Sequence, residues 1–140
     1  MTGLFSSFLG IIAGVFTYAL IHVWVEPIIR FNKARFQIDY DLMFFANKRG
    51  YLKTIYPSDK AKQHHVAEVN EAKRKHRKNA HSIRASYNHL PRIYQVYLTY
   101  KNIYPKEASK ELVGLSNTYE STFETVGQEK RIKHLLRLKS

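Results

Sequence analysis

From Gly3 to Val25 the chain runs through 23 residues without a charge, mostly Leu, Ile, Val, Phe and small side chains. A hydrocarbon core of roughly 30 Å takes about 20 helical residues, so this stretch predicts one transmembrane helix. A cleaved secretory leader would start with basic residues, carry a shorter apolar core and end at a small-residue site. Here the start has no basic side chain, the apolar run is too long, and it exits through Trp24, Glu26 and Pro27. A buried core helix is excluded by size, since a charge-rich remainder of 115 residues hardly surrounds a helix apolar on every side.

Beyond the span the pattern becomes amphipathic. Glu26-Pro27 predicts a kink or the first turn of a new helix, because proline fits best at the first helical position. Phe31, Ala34, Ile38, Leu42 and Phe45 then recur at helical spacing and predict a helix to about Asn47, with Arg35 placed to pair with Asp39. Gly50 and Pro57-Ser58 bound a connector, and Ser58 is a good N-cap for a longer second helix. Its apolar positions are Val69, Ala72, Ala80, Ile83, Tyr87 and Leu90, with His76 in register, and Pro91 ends it.

Residues 92–104 read two ways. Tyr94, Tyr97, Tyr100 and Tyr104 step like a helix, whereas Tyr94, Val96, Leu98 and Tyr100 alternate like a strand. No second convincing strand exists to pair with it, so a short helix or irregular aromatic segment is the expectation. Pro105 opens a further helix with the stripe Ala108, Leu112, Leu115 and Tyr119, and a last helix spans about Thr125 to Leu138. The expected fold is all-α: residues 1–29 form a transmembrane helix and its interfacial exit, and residues 30–140 a basic cytosolic bundle of about four helices.

Charge adds orientation. Every charged side chain lies after Val25, so the net charge of +12 belongs wholly to the last 115 residues. Arg30, Lys33 and Arg35 follow the span closely, and basic flanks stay on the cytoplasmic side. The expectation is a short N-terminal tail outside and a cytosolic domain, with Tyr18 and Trp24 near the inner interface. Gly3, Ser7, Gly10, Gly14 and Thr17 form one stripe of small residues that includes a GxxxG. Such a stripe lets backbones approach closely in lipid, and predicts packing on a second copy or on another subunit's helix. His22 is the one histidine in the span, and its place three residues from the exit favours an interfacial role.

Candidate chemistry is sparse. With no cysteine there are no disulfides, thiolate nucleophiles or Cys-based metal sites. The glycines after the span are isolated, so no phosphate-cradling loop forms. Asp39 and Asp41 are two apart on a helix and point away from each other. His64, His65, His76, His81 and His89 lack the spacing and carboxylate partners of a zinc site. Ser82, Ser86, Ser109 and Ser116 sit in no nucleophile motif. The sequence therefore predicts no enzyme, no cofactor and no metal. The densest charge, Lys73 to Lys78, with Arg84, makes Lys73, Arg74, Arg77, Lys78 and Arg84 candidates for binding lipid headgroups or another anion. Nucleic acid or a nucleotide is the sharper alternative, and a merely solvated face the blander one.

Three stretches carry a resemblance: FNKARFQIDYDLMFFAN from Phe31, RKNAHSIRASYNHLP from Arg77 and PKEASKELVGLSNT from Pro105. Together they resemble a group of uncharacterised bacterial proteins with an N-terminal span. That group has an I-x-Y-A-L-x-F-Y-A-N-like helix, an L-R-x-L-A-x-x-L helix and an E-A-x-x-x-L-I-G-L-S-N-S helix end. This chain departs by Asp41, where the group has a small apolar residue, and by histidine and asparagine in the middle helix. The resemblance implies a bacterial source and a cytosolic helical domain, and no activity. Gly114-Leu-Ser-Asn117 reads as ordinary helix C-cap chemistry.

The function expected from the sequence is a non-enzymatic, self-associating single-span protein of the bacterial cytoplasmic membrane. Its basic domain is a scaffold or sensor at the inner face, in one version a stress or defence effector altering membrane permeability. The alternatives are an accessory subunit of a larger membrane complex and a membrane-tethered nucleic-acid or nucleotide binder.

Overall fold

A computed structural model describes residues 2–49, 59–118 and 122–138, and all the regular structure in them is helical. The order is α1 (Thr2–Leu20), a π turn (Ile21–Val25), α2 (Glu26–Arg49), α3 (Asp59–Asn88), α4 (Arg92–Tyr100), α5 (Pro105–Thr118) and α6 (Thr122–Leu136). The expected all-α architecture is present, and one helix is long and apolar enough to cross a membrane. The connector with Gly50, the Pro57-Ser58 turn and Tyr119 lies outside the described residues.

Pro27 does not break the chain into two helices. Proline lacks the N–H that would bond Val23, and its ring crowds that carbonyl in a regular helix. The π turn just before it resolves the conflict by widening one turn, with the Glu26 N–H donating to the Ile21 carbonyl. Helical structure runs without interruption from Thr2 to Arg49, and Pro27 stands in the first turn of α2, the place its missing N–H suits.

The domain is built on the lower face of α2. Phe31, Ala34, Ile38 and Leu42 pack with Ala80, Ile83 and Leu90 of α3, Leu112 and Leu115 of α5, and Ile132 and Leu136 of α6 in one core. A second cluster of Phe45, Val69 and Ala72 extends it away from the span. α2 and α3 run antiparallel: Asn79 bonds Asp41, and the buried His76 ring meets Phe45 edge-on at 5.5 Å. The Ser109 hydroxyl donates to the Ala80 carbonyl at 2.9 Å, tying α5 to α3.

Residues 92–104 resolve as a helix. α4 ends with Asn102 at φ 53°, the Ile103 N–H reaching back to Leu98 and the Asn102 N–H to Thr99. This is the closure in which a left-handed residue satisfies the last carbonyls and an apolar residue beyond it turns inward; Ile103 is buried. α6 ends the same way at Arg137, φ 48°, with Leu138 bonded to Lys133 and packed on the core.

Arg35 completes that second closure. Its Nη2 donates to the Leu136 carbonyl at 2.6 Å, clamping α6 to α2. The expected Arg35–Asp39 pairing is corrected accordingly: the guanidinium turns to the orphan carbonyls of a helix end, where a cation is favoured, and Asp39 acts on it through charge alone. Burial lowers the Arg35 pKa, and the charges of Tyr94 and Asp39 partly restore it.

Gly114 is corrected too. It lies inside α5, which continues to Thr118, so it caps nothing. A Cβ there would stand 3.2 Å from the Gln128 side-chain nitrogen of α6, so the glycine allows close helix approach. Since that nitrogen ends a flexible side chain, Gly114→Ala is expected to gain about 0.5 kcal/mol, roughly half of alanine's helical advantage, readable as a higher thermal midpoint.

Candidate anion-binding site

α3 returns toward the π turn as α2 leaves it, and between them lies a cleft of about 620 Å³. One wall is the helix segment carrying His22, Glu26 and Arg30. The other is the α3 face bearing Lys78, His81, Ser82, Ser86 and His89. The α3 residues repeat at helical steps of three and four, which is why one face of that helix delivers them all.

Glu26 organises the first wall. His22 Nδ1 and Arg30 Nη2 both bond its carboxylate, each one turn away along the helix. These hydrogen bonds, that from His22 first, hold the Glu26 carboxyl below its ordinary value, with attraction from both partners adding to them. The α3 wall, with Lys78, contributes no carboxylate to the lining. Two hydroxyls, three imidazoles and two permanent cations against one carboxylate make a donor-rich, net positive hollow, suited to a phosphate group. Among the described residues no three His, Cys, Asp or Glu side chains converge to hold a metal ion.

The sequence candidates divide between two flanks of α3. Lys78 lines the cleft, and the exposed Arg74 sits one turn earlier on the same side. Arg77 points the other way, its Nε donating to Ser116 Oγ and its Nη2 to Asn117 Oδ1, both at 3.2 Å. Lys73 is half-buried and Arg84 exposed on that Arg77 flank by helical register. Arg77 thus joins α3 to the Gly114–Asn117 segment, the partner that a cap reading of the segment had not supplied. In the span, a Cβ added at Gly10 or Gly14 would meet nothing within 4 Å.

Sequence reasoning missed the cleft's composition. His22 and Arg30 were read one at a time, as interface and orientation signals, and His81 and His89 as failed zinc ligands. Their helical spacing was visible, but their meeting depends on how α3 packs on α2. No family model, curated protein or solved structure matches this chain.

A separation of roles follows. Arg77→Ala is expected to cost about 1–2 kcal/mol in thermal unfolding and leave phosphate binding intact. Lys78→Ala is expected to weaken binding of glycerol 3-phosphate severalfold, measured by titration calorimetry, without moving the melt.

Proposed function

We propose that the chain is a non-enzymatic, self-associating single-span membrane protein whose basic domain is a scaffold or sensor at the cytoplasmic face of a bacterial membrane. One observation carries the reading. The side of the first long helix that points away from the bundle is exposed from Gly10 to Phe44.

Helix geometry explains why that side is continuous. At about 100° per residue, the small-residue stripe would emerge past the π turn over Asn32, Arg35 and Asp39, beside the core face. The extra residue of the π turn carries it about 100° further, onto Ile29, Lys33, Phe36 and Tyr40. Those four are exposed, while Asn32, Arg35 and Asp39 are partly covered by the bundle. Phe36, at 74 % exposure, and Tyr40 would normally be buried.

Two copies in one bilayer stand parallel, so each part of this face meets its counterpart at the same height, about a twofold axis along the membrane normal. Gly10 and Gly14 let the spans approach; Phe36, Tyr40 and Phe44 supply apolar contact beyond the membrane. The cleft sits where the span exits, at the depth of phosphate headgroups, where each nearby cation contributes about 1 kcal/mol toward an anionic leaflet. The orientation is supported by Arg30, Lys33 and Arg35 directly after the span.

Purification in mild detergent with mass measurement tests the assembly. A dimer or higher oligomer of the chain alone is expected. A strict monomer would sink the proposal, and a stoichiometric foreign subunit would replace it with an accessory role.

A further inference from the structure

We infer that α4 is a second membrane contact, an interfacial helix laid into the headgroup layer at the foot of the bundle. The inference rests on the first helix spanning a bilayer. α4 exposes Ile93, Val96, Tyr97 and Tyr100, a stripe at i, i+3, i+4 and i+7, with Val96 at 69 % and Tyr100 at 79 %. Its opposite side is fixed: Leu98 is buried in the core, and the Gln95 amide donates to the Leu90 carbonyl at 2.9 Å. The exposed stripe therefore cannot roll inward.

The topology puts this helix at the membrane end. α4 joins the end of α3, whose His89 shares the cleft with His22, to the start of α5. The Tyr104 N–H after α4 donates to the Leu135 carbonyl near the end of α6, which Arg35 holds to α2. The end of α3 lies toward the π turn and the end of α6 at the level of Arg35, about 15 Å beyond Val25, so α4 lies at the end of the bundle nearer the span. The exposed aromatics of α2 differ in this respect: at 1.5 Å per residue, Tyr40 lies about 22 Å beyond Val25, out of a headgroup's reach.

The chemistry matches an interface. Tyrosine is the residue of membrane–water boundaries, its ring in the apolar region and its hydroxyl wet. Arg92 and Lys101 bracket the stripe, and Lys101 Nζ stands 5.8 Å from both the Tyr97 and Tyr100 ring centroids. Apolar side chains flanked by cations are what an amphipathic helix needs to hold to an anionic leaflet.

The absence of cysteine permits clean single-site labels on the full chain. Nitroxides at Val96→Cys, Val15→Cys in the span and Val126→Cys on α6 would be compared in phosphatidylcholine vesicles containing phosphatidylglycerol. The ratio of collisions with oxygen to collisions with a water-soluble nickel chelate reports depth. At Val96 it is expected to exceed that at Val126 at least about threefold, approaching the value at Val15. A Val96 ratio equal to that at Val126, with Val15 in lipid, overturns the α4 contact and leaves the span intact. Water-like ratios at all three positions overturn the span itself. A Val96 label shielded from both reagents means that protein covers α4, which also overturns the inference.

Discussion

Gly10→Leu combined with Gly14→Leu is expected to leave the protein monomeric in mild detergent while its domain melts at an unchanged temperature. Both glycines face open space within the chain, so the added side chains strain nothing internal. Between two spans the same side chains hold the backbones apart and forfeit the close dispersion contacts that stabilise helix pairs in lipid. A fall of at least about tenfold in the association constant is expected, since two such contacts exceed 1.4 kcal/mol together. An unchanged mass distribution would place the interface elsewhere. The equal-sized pair Ile11→Leu and Ile12→Leu is the control, expected to associate normally.

The second large effect is on stability. Asn79→Leu is expected to destabilise the domain by about 3 kcal/mol, because it strands a carboxylate rather than because it loses one hydrogen bond. Asp41 is 3 % exposed and accepts from Asn79 Nδ2 at 2.7 Å and from Gln37 Nε2 at 3.0 Å. Without Asn79 a buried oxygen is left with no partner in an apolar seam. A domain of this size loses about 4 °C of thermal midpoint per kcal/mol, giving a drop of about 12 °C. The double variant Asp41→Leu with Asn79→Leu is expected to recover most of it, since removing both partners removes the desolvation cost. If the double variant is no better than the single, the pair contributes more than its own satisfaction.

This pair shows where the sequence was legible and where it stopped. Asp41 and an asparagine in the middle helix stood out only as departures from the group the chain resembles; nothing local said that they meet. Phe31, Ala34, Ile38 and Leu42 are buried as their spacing required, because a stripe on one helix is a local property. The joining of α3 to α2 is not local, so the cleft, the Arg77 bridge and the Arg35 clamp were invisible. Segment 92–104 was ambiguous because its tyrosines serve both periods, and the closure at Asn102 settles it as a helix. Pro27 does stand in the first turn of α2, but the π turn that joins this helix to the one before it left no signal in the spacing.

That turn has a mechanical consequence. Because the helix is unbroken, twisting or tilting the membrane-embedded half has no flexible joint in which to dissipate and is passed to the half bearing the core. The π turn fixes the phase between the halves much as a key fixes a gear on its shaft. Removing one residue from it would leave both halves helical and rotate one against the other by about 100°. Phe36 and Tyr40 would then swing out of line with Gly10 and Gly14, and two copies could join through one half or the other, but not both.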